Sequence, residues 1–535
     1  MQCLPDDFFS LVFNFTAYMM HRFSTFWVLI FILVCANAQA QVESKPDSTV
    51  RDYTSYDTTL PVNTFVDTVH HIVQDTTHHD LTEGLKKARE KAEVQKRWIK
   101  KQIEILSSHY MHGRGYVLGG RDSAAKYILK QFRQYKLKPV KPDGPWAQAF
   151  AFPVNTFPGK MFISVNGDSL TAGVDFLIDP SSPSYSGENL QVKVVDLNYI
   201  KDSMVWKQQM LTFTEGQVYL LENLDSFCTQ VLHIRKSQFA ATLPKGCYII
   251  PENGKLTWSV SRETIAATVF YMDREIMPRK IRKITVKADA LFQPRTRSEN
   301  IVAQVPGEVA DSYIVFSAHY DHLGMMGDTT YFPGASDNAS GVAVLIYLAA
   351  YFAKHPQHYS MLFIAFAGEE ASLMGSEFFV AHPMVPLKKI KFLNNIDIMG
   401  FYFLERHHGV PLKKIKFLNN IDIMGDATNG VTVVNATVFP QQFDLLQQLN
   451  NRDKYLPEIK SRGSAANSDH YYFSQAGVPS FFYYSNGGPG YYHDVLDRSR
   501  ELSLNHVDDF AKMMIEFVKL IKKLFSPYSC GRCRG

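Results

Sequence analysis

Three hydrophobic patterns follow one another along this chain. Between 81 and 135 apolar residues recur at helical spacing. They run first from Leu81 to Met111, then as Ala125, Ile128, Leu129 and Phe132 on one face of a helix over Ser123–Tyr135, with Asp122 placed as its N-cap. Pro139, Pro142 and Pro145 close that region. From 155 to 290 apolar runs alternate around turns. Val165-Asn166-Gly167-Asp168 and Glu252-Asn253-Gly254-Lys255 predict Asn-Gly hairpins, and Ala267–Tyr271 and Ile284–Lys287 read as strands. From Asn300 onward, strands and helices alternate. Ile314–Ala318, Met361–Phe366 and Pro479–Tyr484 read as strands. Ser340–Phe352 (capped by Asn338 or Ser340), Ala371–Val380 and His506–Leu524 read as helices. Such alternation predicts an α/β fold with a mixed, mostly parallel sheet and helices on both faces, to which the middle region adds a β-rich inserted domain.

Length adds a domain plan. At 535 residues the chain exceeds one compact core. The expected layout is a signal peptide over 1–40, a linker over 41–80 and helices over 81–154 that join the α/β domain. The β-rich insert then takes 155–290, the α/β domain 291–525, and a tail 526–535. Hydrophobic residues at 46% and charged residues at 20% are ordinary for a globular protein, and a net charge of +4 gives no sign of nucleic-acid binding. The basic stretch Lys86–Lys101 also carries Glu90 and Glu93, as a solvated helix face does.

His21 and Arg22, the apolar run Phe26–Val34 and Ala38-Gln39-Ala40 have the marks of a secretory signal cleaved after Ala40, with Met19 or Met20 as an alternative start. The run is too short for a comfortable membrane span, although Phe8–Met20 leaves an uncleaved anchor as the rival. The expected location is therefore outside the cytoplasm: periplasmic, outer-surface or secreted. In such a compartment Cys228 and Cys247 could pair. Cys530 and Cys533 form one lone C-x-x-C, too few ligands for a structural zinc, and His70-His71 and His78-His79 lack a ligand framework.

One sixteen-residue segment, VPLKKIKFLNNIDIMG, occurs twice, at Val385–Gly400 and again 25 residues later at Val410–Gly425. Two identical copies are not a repeat architecture, which shows several diverged units. One strand position can take one copy, so either Asp397 or Asp422 serves. If Asp422 serves, the surplus residues precede the strand at the end of the sheet away from the site. If Asp397 serves, they emerge over the site. That geometry favours Asp422.

The candidate chemistry is an ordered set of His and carboxylates at the ends of strand-like runs: His319 and Asp321, Asp337, Glu369 and Glu370, the Asn-Ile-Asp aspartate, and His493. An open α/β sheet builds its site at such ends. Two divalent ions need a bridging carboxylate plus one His and one carboxylate each. Asp337, in a loop leading into a helix, suits the bridge. Asp321, two residues from His319 on an extended segment, can orient the imidazole. One of the adjacent Glu369 and Glu370 can bind metal while the other acts as general base.

The segments Ser317-Ala-His319-Tyr-Asp321-His-Leu-Gly, Gly334-Ala-Ser-Asp337-Asn-Ala-Ser-Gly341, Ala367-Gly-Glu369-Glu370, Asn-Ile-Asp, Ser468-Asp469-His470 and Tyr492-His493-Asp494 closely resemble the M28 zinc metallopeptidases, the aminopeptidase Y/S-like family, over roughly 300–525. Gly113-Arg114-Gly115 is similar to exported bacterial members, and the insert resembles their protease-associated domain in position. The resemblance implies two Zn2+ ions bridged by Asp337. His319 and Asp422 (or Asp397) would complete one, Glu370 and His493 the other. It makes Glu369 the general base and Asp321 an outer partner, and gives Ser468-Asp469-His470 no role. The implied function is an exported zinc-dependent aminopeptidase that attacks peptide substrates with a two-metal-activated water. No stable membrane span is expected. The alternatives are a glutaminyl cyclase-like acyltransferase on the same scaffold and a catalytically dead peptidase-fold binding protein.

Overall fold

The computed structural model describes residues 86–384, apart from 88, 89 and 91, and residues 415–521, with 310 and 311 as backbone only. The proposed signal and linker, the paired histidines, Asp397 and the first repeat copy, and Cys530 and Cys533 lie outside the described residues.

One eight-stranded sheet organises the C-terminal half together with the strand Ala147–Thr156. Its order is Ala147–Thr156, Leu291–Val305, Tyr359–Phe366, Val309–His319, Ile415–Asp422, Ser480–Ser485, Val431–Val434 and Ile459–Ser461. The four central strands, Tyr359–Phe366 to Ser480–Ser485, run parallel; Leu291–Val305 and Val431–Val434 join them antiparallel on either side, and the outermost strands pair antiparallel (Ala147–Thr156) and parallel (Ile459–Ser461) with these. Strand Tyr359–Phe366 explains why an unbroken apolar run was needed. Met361, Phe363 and Ala365 enter one apolar cluster, with the helices 92–106, Gly120–Gln134, Gly341–Lys354 and Val507–Ile521. Leu362, Ile364 and Phe366 enter another on the opposite face with Phe379 and Phe473. Successive side chains alternate faces, so a strand covered on both sides must be apolar throughout.

Between strands Ala147–Thr156 and Leu291–Val305, which pair with each other, lies a second eight-stranded sheet. Its central strands Tyr185–Asp196, Val218–Glu222, Gly246–Glu252 and Ala267–Asp273 are parallel. Val165↔Asp168 closes the first Asn-Gly hairpin. The second expected hairpin does not form. Strands Gly246–Glu252 and Ala267–Asp273 pair in parallel, which a tight turn cannot connect. Asn253-Gly254 instead starts a non-helical excursion that leaves the sheet. Cys228 and Cys247 are both buried and free, because they belong to apolar clusters on opposite faces of this sheet. One of those clusters also takes in Leu323, Met326, Phe332 and Val495, which lie outside this sheet.

Two helix starts differ from expectation. The first helix begins at Gly120 behind a left-handed Gly119, leaving Asp122 in its first turn and ion-paired to Arg121. The helix expected from Ala371 starts at Met374, because Ser372 and Leu373 are left-handed. Asn338 does cap helix Gly341–Lys354, its Oδ1 accepting from the Gly341 N–H at 2.8 Å. Among the described residues no helix is long and apolar enough to cross a membrane.

The second copy of the repeat supplies the strand at the sheet's centre. A chain lacking 385–409, in which Met384 runs straight into Val410, should therefore keep one cooperative thermal transition at or above that of the full chain. Circular dichroism melts check this, and loss of cooperative unfolding would mean that both copies are needed.

Candidate metal centre

Parallel pairing aligns the carboxyl ends of the central strands. His319 sits opposite Phe366, three residues before Glu369, and Asp422 sits opposite Tyr484. From this edge His319, Asp337 and Asp422 converge as one donor set, and His322, Asp337, Glu370 and His493 as a second. Asp337 is common to both. Its Oδ1 lies 3.3 Å from His319 Nε2 and its Oδ2 3.2 Å from His493 Nε2. His319 Nε2 is also 3.2 Å from Asp422 Oδ1, and His493 Nε2 3.1 Å from Glu370 Oε2.

The proton inventory tests whether cations fit here. His319 Nδ1 lies 3.1 Å from the carbonyl of Asp321, and His493 Nδ1 lies 2.8 Å from that of Trp258. A carbonyl only accepts, so each Nδ1 carries the proton and each Nε2 of the neutral ring presents a lone pair. Those lone pairs face two carboxylate oxygens apiece at 3.1–3.3 Å. Facing lone pairs repel unless a proton or a cation lies between them. The pattern suits a metal ion in each set.

A second proton on each ring is the alternative to a cation, and the electrostatics show how strongly positive charge is drawn to these positions. Burial would lower His319, but Asp422, Glu369 and Asp337 raise it well above its ordinary value. Glu370 and Asp337 do the same for His493. Asp337 is held well below the usual range although burial opposes this, because His319 and His493 hydrogen-bond to it. Glu369 goes the other way. Burial raises it strongly, His319 opposes, and Glu370, Asp422 and Asp469 add to the rise.

Each donor is held by neighbours. Asp422 accepts from Ser468 Oγ (3.2 Å), which accepts from Asn420 Nδ2 (2.8 Å), whose Oδ1 accepts from Ser317 Oγ (2.8 Å). The two asparagines inside this strand are thus used, Asn419 accepting from the Tyr483 hydroxyl at 3.0 Å. The Asp321 carboxylate is 3.9 Å from His319 Nδ1, farther than that residue's own carbonyl. It takes the Tyr116 hydroxyl (2.6 Å) and the N–H groups of Glu369 and Glu370 (3.3 and 3.4 Å), fixing the turn that carries both glutamates. Asp497 accepts from the N–H groups of Ser336 and Asp337.

Arg114 does most to place the Asp337 loop. Its guanidinium is fully buried and directs all five N–H donors to carbonyls: Tyr320 (2.9 Å), Leu106 (2.9 Å), Pro333 (2.8 Å), Gly334 (2.7 Å) and Asp337 (3.1 Å). Burial lowers it to about 10, against the pull of Asp337, Asp497, Asp321 and Glu370, so it stays charged near neutrality. The flanking glycines are required by contact. A Cβ on Gly115 would stand 2.2 Å from the Gly324 Cα, and one on Gly113 2.4 Å from the Gly324 carbonyl.

The sequence alone gives no role to Arg114, Tyr116, His322, Ser468, Asp497 or Trp258. His322 is one residue beyond Asp321, its Nδ1 2.7 Å from Glu370 Oε1. The Gly-Arg-Gly triplet and Ser468 stood inside matched motifs, which was their only signal. Asp397 lies outside the described residues, whereas Asp422 is within the first donor set.

With this geometry in place, the comparisons assign a class. Residues 300–518 match the model of Peptidase family M28, and this stretch is an M28 peptidase domain. The chain is 33% identical over 102 residues to "Aminopeptidase YwaD" of Bacillus subtilis, covering 19% of this chain and 21% of that protein. It is 42% identical over 83 residues to a "Probable zinc metalloprotease" of Pyrenophora tritici-repentis (14% and 18%). It is 40% identical over 85 residues to a "Vacuolar membrane protease" of Schizophyllum commune (16% and 9%). The chain thus spans about a fifth or less of each of these relatives. Its fold is that of BSAP, a zinc aminopeptidase from Bacillus subtilis (TM-score 0.55, 18% identity, 79% of this chain and 94% of that one). It is also that of an aminopeptidase from Aneurinibacillus sp. strain AM-1 (TM-score 0.50, 17% identity, 79% and 93%).

Replacing Arg114 with Met should cost at least ~3 kcal/mol, since several buried carbonyls lose their donor at once. Arg114→Lys should recover little of it, because one ammonium cannot span five acceptors. Urea unfolding measures both. A loss under ~1 kcal/mol would show that the loop is held by other groups.

Proposed function

We propose that this chain is an exported, zinc-dependent aminopeptidase with two zinc ions. The observation that carries the reading is the pair of donor sets joined through Asp337, each with an imidazole whose Nδ1 is engaged and whose Nε2 points inward. In this reading His319 and Asp422 would hold one zinc, Glu370 and His493 the other, and Asp337, common to both donor sets, would contribute to each. Zinc held there would supply Lewis acidity toward water and toward the scissile carbonyl.

Glu369 is the general base. It ligates neither ion in this scheme and sits on the turn fixed by Asp321. Burial and neighbouring carboxylates hold it high, His319 counters that rise, and the balance suits a group that takes a proton from water and passes it to the leaving amine. A cavity of about 230 Å³ beside Asp337, walled by Ile423, Tyr484, Tyr491, Tyr492 and Leu502, offers room for the substrate's terminal side chain. Residues 155–290 are proposed as a protease-associated-like insert and 291–525 as the catalytic domain. Export rests on the segment ending at Ala40, which lies outside the described residues.

Glu369→Gln should keep both zinc equivalents and lose roughly 10²–10⁴ in kcat on aminoacyl anilides. Metal analysis beside steady-state kinetics checks it, and unchanged turnover removes the assignment. The repeat gives a second test. Asp422→Asn should weaken one zinc equivalent and abolish most hydrolysis, whereas Asp397→Asn should change neither. The reverse outcome would hand the role to the first copy. Wild-type protein that is zinc-loaded yet inert on every free-amine substrate would contradict the aminopeptidase reading itself.

A further inference from the structure

The excursion that replaces the expected hairpin at Asn253-Gly254 reaches the metal centre. Lys255 Nζ donates to the carbonyls of Gly490 (2.7 Å) and Tyr492 (2.5 Å) and stands 3.9 Å from Asp494 Oδ2. Three residues on, Trp258 and His493 form a reciprocal pair. The Trp258 N–H donates to the His493 carbonyl at 3.3 Å, and the His493 Nδ1–H donates to the Trp258 carbonyl at 2.8 Å. The Trp258 side chain anchors this contact. It is 5% exposed, its indole N–H donates to the Ile178 carbonyl at 2.8 Å, and its ring stacks on Phe332 with centroids 4.7 Å apart. Ile178 belongs to the inserted sheet, and Phe332 immediately precedes the Pro333-Gly334 carbonyls that Arg114 grips. Beyond Trp258, the Ser261 carbonyl accepts from the Asn155 N–H at 2.8 Å, tying the excursion to the catalytic sheet.

His493 needs such outside support. It is a non-glycine residue at φ 55, at the end of a run containing Gly487, Gly488 and Gly490. Glycine-rich backbone loses much conformational freedom on ordering. The acceptor at Nδ1 sets which nitrogen faces the ions. For His319 that acceptor is Asp321, two residues away on the same strand end. For His493 it is Trp258, from the insert. The two halves of the centre therefore have different supports.

We propose that residues 255–258 of the inserted domain are a positioning strap for the metal centre, making occupancy of the Glu370/His493 site depend on the insert while the His319/Asp422 site does not. The proposal rests on the two-zinc reading above. Lys255 and Trp258 are positioning residues, acting on the ions only through His493.

The test uses the full chain, stripped with a chelator and titrated with zinc alone against a fluorescent competitor, so that two dissociation constants are resolved. Lys255→Met and Trp258→Ala should weaken the second equivalent about ten- to a hundred-fold and leave the first within ~2-fold. Trp206→Phe, in the apolar cluster on the far face of the inserted sheet, should leave both constants as in the wild type. Lys255 is partly exposed, so its variant remains informative if Trp258→Ala does not fold. Cobalt loaded in place of zinc adds a readout, since the visible spectrum of the second equivalent should change in Lys255→Met. Wild-type constants in Lys255→Met, or parallel weakening of both equivalents in step with lost thermal stability, overturn the strap and leave the two-zinc reading standing. A wild type that binds fewer than two equivalents overturns both.

Discussion

Carboxylates crowded into one closed edge of a sheet are what the rest of this structure must accommodate. Asp321, Asp337, Asp422, Asp469 and Asp497 are each at most 5% exposed, and the Glu370 side chain is 5% exposed. Arg114 is the fully buried permanent cation among them. Two like charges about 4 Å apart repel by roughly 4 kcal/mol at an effective dielectric near 20. A cluster of this kind is tolerable only with added positive charge, and the two inward-facing imidazole nitrogens show where it would sit. Asp469, pushed up to about 7 mainly by burial, and Asp497, pushed up to about 6 by the same cause, relieve part of the repulsion by binding protons more readily.

The fold answers this constraint from several directions. Parallel strands bring His319 and Asp422 to the same edge. The Ser317–Asn420–Ser468 chain fixes one Asp422 oxygen and leaves the other toward His319. Arg114 holds the Asp337 loop through carbonyls, and Asp497 holds it through amides. The loop is thus clamped by a cation on its acceptors and an anion on its donors. Charge-assisted bonds of that kind are about twice as strong as neutral ones, which suits a residue common to both donor sets.

Much of this was legible in the sequence, and the omissions have a common cause. Strand Tyr359–Phe366 announced itself because burial on both faces demands an unbroken apolar run. The site residues stood out because metal chemistry restricts residue type and strand ends restrict position. Arg114 did not, since its acceptors lie up to 223 residues away and carbonyls leave no trace in side-chain identity. The Asn253-Gly254 hairpin failed because a local turn signal carries no information on strand direction, which pairing elsewhere in the sheet decides. Asp122 yielded its expected cap position to Gly119, whose left-handed backbone starts the helix one turn early. Identical repeat copies could not be ranked by composition, only by where surplus chain would fall.

The most direct test of the central claim is anomalous diffraction at the zinc edge from crystals of the purified chain. Two peaks are expected about 3.5–4 Å apart, one among His319, Asp337 and Asp422, the other among Asp337, Glu370 and His493. Absence of both peaks from zinc-replete crystals, or peaks held by other residues, would contradict the account.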